Sequence, residues 1–554
     1  MKKRKLLCLV LTLCCIVTAF AGCGDKKENE IVRDYTLSDV NEFPVVDKKV
    51  ELNVFATKSA FVADFETNEF TKWYEEKTGV HINWTVPSGD AQQSFNLMIA
   101  SGEYPDVILG MGLSREQVMN LVSQGILVDI KDEIEEYGYY IKKMFEEEPS
   151  ALKNVTIGNA IYGVPKVSAD FQGRFECGMW VYQPWLEKLG IDEPQNTEEF
   201  YQMLKAFKEQ DPNGNGKADE IPLAARGVRN WNQGIESYIM SAFIPTDSER
   251  TYVDNGKVKY AAVQPEYREG LRYLNKLYKE GLLYQDTFII DRNQLTAIGE
   301  NETPILGAST GSYQGFFCNP TATSERYHEF VSIPPLEGPD GKRETVAKRS
   351  TLNGCSFMVT KECPDPALAV KWVDWLLSTE GKQKSQDRGL SITRKAEEGE
   401  LGVDGQQALW TIEQKSAEEQ AKYSNATQNI AWSNCTIWYK SLEESIRTHN
   451  PSRVNDEAYK FYTQYLPYAS PNHPFFSILE EDVEEASDYN TIADEVDAYF
   501  VKFVTGELDL DKDWDAYIKG LNNLGLERYM EILQRSYDTD EYTNAYDSLP
   551  KIDK

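Results

Sequence analysis

The sequence predicts an α/β protein: a mainly parallel sheet covered by helices on both faces, followed by a more helical second half. Three observations carry this reading. Between residues 50 and 168, runs of strand length alternate with segments of helical period. From about Trp185 onward the helical period dominates. The chain of 554 residues, even without its first 22, is long enough for two or three domains.

The elements follow in order. VELNVFAT (50–57) alternates as a strand, and ETNEFTKWYEEKTGVHINWTV gives an amphipathic helix and a second strand. FNLMIASGEYPDVILG reads as a helix, a turn at Gly102 and Pro105, and a buried strand at Val107–Leu109. Helix then reaches GILVDI, and NAIYGVPKV is another short strand unit. Later, WLEKLGI, TEEFYQMLKAFKEQ, YREGLRYLNKLYKEG and AVKWVDWLLSTEG are amphipathic helices, and the tail from about residue 480 is helical again. Trp73, Trp185, Trp372 and Trp375 lie on the apolar stripes of such helices and are expected in the core.

The N-terminus reads as an export signal. MKKRK is a basic region, LLCLVLTLCCIVTAFAGC an apolar one, and small residues precede Cys23. The Ala21-Gly22-Cys23 run resembles a lipobox, with Phe20 where leucine is usual, so cleavage is expected before Cys23 and a lipid on its thiol. The apolar run is also about the length of a membrane span, and an uncleaved anchor is the competing reading. Either way the rest of the chain works outside the cytoplasm. Residues 23–47 are polar and charged, and are expected to be a tether.

Composition narrows the partners. Residues 1–22 carry four basic and no acidic side chains, so their removal takes the net charge from −31 to −35. Such a surface repels nucleic acid and anionic lipid, which excludes both as partners other than through the lipid anchor. Beyond Cys23, the cysteines at 177, 318, 355, 363 and 435 are an odd number at irregular spacing, which suits buried free thiols. No nucleophile motif, HExxH pair or phosphate-binding glycine loop occurs, and the four histidines are scattered. Nothing in the chain argues for an enzyme.

One motif does carry chemistry. In DPNGNGKADE, oxygen donors recur at alternate positions, Asp211, Asn213, Asn215 and Asp219, with Gly214 and Gly216 at the bends. A hard cation such as Ca²⁺ needs six or more oxygens wrapped at short range, and this spacing supplies them, with the Lys217 carbonyl as a further donor. An EF-hand places glutamate at the twelfth position, where Pro222 stands here, so an EF-hand switch is not expected. The alternative is a solvated loop of Asx turns.

With these residues in view, ASGEYPDVI, NAIYGVP, WLEKLGI before PQNTEEF, LYKEGLL, IPPLEGPDGKR and AVKWVDWLLSTEG together resemble family 1 extracellular solute-binding proteins, the carbohydrate-capturing subunits of ABC importers. The tail FVTGELDLDKDWDAYIKGLNNLGLERYMEILQRSYD is similar to the longer lipoprotein branch found in Gram-positive bacteria, which includes alginate-oligosaccharide-binding proteins. The resemblance implies a two-lobed type II periplasmic-binding-protein fold with a hinge and extra C-terminal helices, closing on ligand. By analogy, lobe one spans 48–168 and 351–395, and lobe two spans 169–350 and 396–554. The resemblance further implies a structural calcium at residues 211–222, with Glu220 closing its coordination sphere. It also implies a monomer that captures an oligosaccharide at the outer face of the membrane and hands it to permease subunits.

Sugars present apolar C–H faces and rings of hydroxyls, so their sites pair aromatic platforms with amides and carboxylates. Candidate platforms are aromatics in loops where apolar periodicity fails: Trp231 in RNWNQG, Tyr313 and Phe316 in STGSYQGFF, Trp432 in NIAWSN and Trp180 in GMWVY. For each, core packing is the competing reading. Arg174 and Asn353, polar at the expected crossovers, would bond a hydroxyl or tie the hinge. A secreted calcium-containing polysaccharide-active enzyme and a peptide- or lipid-binding lipoprotein are the alternative functions.

Overall fold

A computed structural model describes residues 33–57, 62–230, 233–319, 325–348, 351–387, 393–413, 429–451, 455–482, 485–486 and 489–549. Cys23 and Trp231 lie outside the described residues. No helix among the described residues is long and apolar enough to cross a membrane.

Two sheets organise the chain. Their strands, in chain order, are β1 (Val50–Ala56), β2 (Val80–Thr85), β3 (Val107–Leu113), β4 (Val164–Ser168), β5 (Gly178–Tyr182), β6 (Ala308–Gly311), β7 (Phe330–Ile333), β8 (Thr351–Val359) and β9 (Tyr439–Lys440). The first sheet has the order β9-β4-β8-β3-β1-β2. The pairs β1/β2 and β1/β3 are parallel, as the strand–helix alternation predicts, and β4/β9 is parallel as well. β8 is antiparallel to both its neighbours, because it re-enters this sheet from the second lobe. The second sheet, β6-β5-β7, is antiparallel throughout.

Each sheet has its own apolar core. The first runs from Val45 to Ala169, then Cys355 to Leu377, then Trp432 to Tyr439. The second takes Phe171 to Ala347 and Ala458 to Leu549. The chain therefore changes core between residues 169 and 171 and again between 347 and 355. Residues 432–439 rejoin the first core, whereas the sequence assigns everything beyond 396 to the second lobe. The C-terminal helices Asn490–Thr505, Trp514–Asn523 and Leu526–Asp538 belong to the second lobe.

Local signals account for much of lobe one. Asn68 caps the helix Glu69–Thr78 by accepting from Phe70 and Thr71 N–H, and Gly79 ends it in the left-handed region. The turn at Gly102 is likewise the left-handed cap of the helix Ala91–Ser101. Gly110 has φ +82°, and a Cβ there would stand 2.6 Å from the Cys435 carbonyl oxygen, so only glycine lets the returning segment cross β3.

The expected tether is shorter than 23–47. Val45 and Val46 are buried in the first core. The Arg33 guanidinium and the Tyr35 hydroxyl both donate to Asp365, at 2.8 and 2.7 Å for Nη2 and the hydroxyl. This ties residues 33–47 to lobe one, because the polar run ends in an apolar pair that has a groove to fill.

Candidate functional site

The second lobe joins two of the loops singled out in the sequence. β6 ends at Gly311 and is followed by the Tyr313–Phe316 turn; beside it runs the loop that begins at Arg226. Buried Gln233 donates from Nε2 to the Phe316 carbonyl (2.9 Å), and the Thr310 hydroxyl donates back to the Gln233 carbonyl (2.7 Å). The Gln233 Oε1 is buried without a partner among the described residues. Arg226 donates from Nη2 to the Asn230 side-chain oxygen at 2.8 Å. Arg292 Nη2 donates to the Gly315 carbonyl at 2.9 Å, and its guanidinium lies 5.0 Å from the Phe316 ring centre. Tyr313 meets Phe316 edge-on at 4.9 Å and is half-buried. Gln233, Thr310 and Phe316 are buried and tie the two loops together, while Tyr313, Arg226 and Asn230 are half-buried and Arg292 is exposed. Arg226, Asn230, Gln233, Thr310 and Arg292 were not singled out in the sequence; the signal for Asn230 and Gln233 was the polar flank of Trp231.

The remaining candidates stand elsewhere. Trp432 is not in the Tyr313 surface: it is a lobe-one core residue, 1% exposed, with its indole N–H on the Thr71 hydroxyl at 2.7 Å. Phe70 and Trp84 meet it edge-on at 4.8 and 5.2 Å. The polar neighbours that suggested a ligand loop instead hold the segment in place: Asn68 Nδ2 donates to the Ala431 carbonyl at 3.0 Å, and the Asn429 carbonyl accepts from Glu69 N–H at 2.8 Å. Trp180 is fully buried in the central strand β5 and packs on Phe461. Its indole N–H donates to the Gly311 carbonyl at 2.8 Å, which fixes the strand end from which the Tyr313 turn starts.

Arg174 links the two lobes. It is buried just past the first crossover and pairs with Glu148 at 3.2 Å, across from lobe two to lobe one. Its carbonyl accepts from Lys348 N–H at 2.8 Å, joining the first crossover to the second. Asn353 is exposed at the β8 irregularity between Leu352 and Cys355, where the ladder slips and turns its side chain out. Near the hinge a groove of about 670 Å³ lies between Arg115, Asn154 and Leu352 of lobe one and Phe475, Ile478 and Thr543 of lobe two. It is separate from the Tyr313 surface and shares no lining residue with it.

The loop of residues 211–222 folds on itself through its own side chains. Asp211 takes φ +46° and accepts from the N–H groups of Gly214, Asn215 and Gly216. Asn213 and Asn215 donate from Nδ2 to Asp219 at 3.0 to 3.1 Å. These bonds hold the Asp219 carboxyl below its usual pKa. Glu220 Oε1 is buried without a partner, and burial, then the charges of Asp211 and Asp219, push its carboxyl up. Among the described residues no three His, Cys, Asp or Glu side chains form a metal cluster. A calcium loop also draws on amide and carbonyl oxygens, and those are present. An unpaired buried carboxylate oxygen beside two further carboxylates is what a cation would satisfy, so the residues fit Ca²⁺.

With this geometry in place, comparison with known proteins decides the family. The model for bacterial extracellular solute-binding proteins matches residues 53–383. The chain belongs to this family. Among curated relatives, the solute-binding protein is 28% identical to the fructooligosaccharide ABC transporter substrate-binding protein FusA of Streptococcus pneumoniae serotype 4, over 94% of this chain and 96% of that one. It is 27% identical to lipoprotein LipO of Bacillus subtilis over 49% of this chain and 53% of LipO. Among solved structures, FusA of S. pneumoniae in complex with kestose superposes with a TM-score of 0.69 at 24% identity, covering 89% of this chain and 99% of that chain. An HMO-binding, ABC-transporter-associated solute-binding protein from Bifidobacterium longum infantis gives 0.74 at 21%, covering 89% of this chain and 100% of that one. The alginate-binding protein AlgQ2 without calcium ion gives 0.63 at 23%, covering 89% and 98%. These likenesses establish the two-lobed solute-binding-protein fold.

Proposed function

We propose that the chain is a lipid-anchored solute-binding protein that captures an oligosaccharide and delivers it, unchanged, to an ABC importer. The observation that carries this reading is the half-buried Tyr313 ring, set on a turn that buried Gln233 ties to the loop carrying the half-buried Asn230 amide. A ring and an amide on adjoining loops are the chemistry a sugar's C–H faces and hydroxyls require. The full-length similarity to FusA, described as fructooligosaccharide-binding, supports the same ligand class. The lipid anchor rests on Cys23, and the partners are permease subunits, with the protein acting as a monomer on the outer face of a Gram-positive cell membrane. Trp231, beside Asn230, belongs to the same proposal on sequence grounds.

The test against a secreted polysaccharide-active enzyme is chemical. The mature chain is incubated with its best-binding glycan for many hours, and the glycan is recovered by mass spectrometry. Intact ligand is expected. Cleaved product in excess of the protein would sink the binding reading, and peptide ligands binding in place of glycans would favour the alternative lipoprotein.

Calcium at Asp211, Asn213, Asn215, the Lys217 carbonyl, Asp219 and Glu220 is proposed as a structural ion. It supplies positive charge that lets Glu220 and its neighbours stay ionised together. The loop follows the helix Thr197–Glu209 and leads into the Ile221–Leu306 bridge, so the ion pins one edge of lobe two. At about a hundred times its Kd, calcium should stabilise the fold by about 2.7 kcal/mol. Melting curves with calcium and with a chelator check this. Asp211→Ala is expected to remove the calcium dependence and leave glycan affinity unchanged; retained calcium dependence would place the ion elsewhere.

A further inference from the structure

Lys166 of β4 is buried, 7% exposed, and meets no carboxylate among the described residues. Its one hydrogen bond among those residues goes to a neutral acceptor, the Asn434 carbonyl, at 2.6 Å. Two of its three N–H donors are therefore unused. The comparably buried lysines are better met: Lys382 pairs with Glu444 at 3.2 Å, and Lys371 lies over the Tyr137 ring. Burial lowers the Lys166 pKa, with only the Cys435 thiol opposing. A buried ammonium so little compensated is costly unless a ligand completes it.

Asn434 brings a second unfinished side chain to the same place. Gln386 donates from Nε2 to the Asn434 side-chain oxygen at 3.3 Å, and its own Oε1 is buried without a partner. Trp438 is the third: the residue is half-buried, and its indole Nε1 is buried and unbonded. The Trp438 carbonyl accepts from Val167 N–H at 3.1 Å. The parallel register that pairs Tyr439 with Val167 sets Trp438 beside Lys166, on the same face of the sheet.

The backbone here is unusual as well. Gln386 sits in a π-helical turn, Gln383–Asp387, and Ser433, just before Asn434, takes φ +53°. Both are rare conformations that collect at functional sites. The short turn Ser433–Cys435 crosses β3 at Gly110. Because Ala56 pairs with Leu109, that crossing is level with Thr57, just beyond the carboxyl end of β1. Open α/β sheets receive their ligands outside the carboxyl ends of their strands. Asn434 is exposed, so the patch lies at the protein surface.

Two donors, Lys166 and the Trp438 indole, thus stand with one acceptor, the Gln386 oxygen. The group that completes them has to accept and donate at once. Hydroxyls do both. A carboxylate only accepts, and would set its own oxygen against that of Gln386.

We propose that Lys166, Gln386 and Trp438 form a sugar-binding patch on lobe one, where ligand hydroxyls accept from the lysine and the indole and donate to the glutamine. This rests on the oligosaccharide reading above and gives the ligand a lobe-one contact beside the Tyr313 contact on lobe two.

The experiment measures melting and glycan affinity on the mature chain. A panel of neutral fructo-, gluco- and galacto-oligosaccharides is titrated, and whichever binds wild type most tightly is carried forward. Lys166→Met keeps the side chain's length and removes its charge. It is expected to raise the Tm of the ligand-free protein and to weaken binding roughly tenfold, opposite movements that a purely structural lysine would not give. Gln386→Ala and Trp438→Phe each remove one open group and should weaken binding about three- to tenfold with the Tm near wild type. Wild-type affinity in Lys166→Met, or in both of the others, overturns the patch. A Lys166→Met chain that cannot fold overturns it too, because the lysine is then structural. Glycan binding that survives all three substitutions sinks the patch alone; no binding to wild type by any member of the panel sinks the oligosaccharide reading with it.

Discussion

Replacing Trp432 by alanine is expected to cost about 3–5 kcal/mol of fold stability, the usual range for a buried tryptophan. The indole is enclosed by Phe70, Tyr74, Trp84 and Trp372, which cannot close over the space it leaves. The Thr71 hydroxyl would lose its donor at the same time. For a lobe of this size the Tm should fall by roughly 10 °C. Glycan affinity of the folded fraction should be unchanged, because the ring belongs to the lobe-one core and not to the Tyr313 surface. A variant that melts like wild type but binds weakly would return Trp432 to the ligand site.

The second large effect is at the hinge. Arg174 and Glu148 have side chains only 2% and 8% exposed and meet at 3.2 Å across the lobe boundary. Removing one member takes a charged hydrogen-bond partner from the other in a buried site, which costs about 1–3 kcal/mol. Glu148→Gln and Arg174→Met should therefore each lower the unfolding free energy in urea by that amount. The double variant, with no charge left buried, should recover most of the loss. Additive losses would mean that the two side chains are not coupled and the hinge is held by other contacts.

How much of this was legible depended on where the signal was stored. The strands β1 to β3 and the helix caps at Gly79 and Gly102 follow from local periodicity and from glycine's access to positive φ. The buried thiols were equally readable, since all five described cysteines are free and buried. Trp372 and Trp375 are core residues as their stripe predicts, while Trp73 is half-buried at its edge. Trp432 was misread because its flanks are polar, yet those asparagines face other chain segments. Asn429 and Ala431 bond to residues more than 350 positions away, and no local pattern announces such a return. The same reason hid β9, a two-residue strand that exists only because β4 offers it an edge.

The central claim, that an oligosaccharide stacks on the lobe-two surface, is tested most directly by calorimetric titration of Tyr313→Ala beside wild type. Wild type should bind one ligand per chain. If the ring meets the sugar as an aromatic platform meets a base, its loss costs about 1–3 kcal/mol, or roughly ten- to a hundredfold in Kd. The half-buried ring should leave the Tm close to wild type. An unchanged Kd for Tyr313→Ala, measured on a protein that melts normally, would contradict the account.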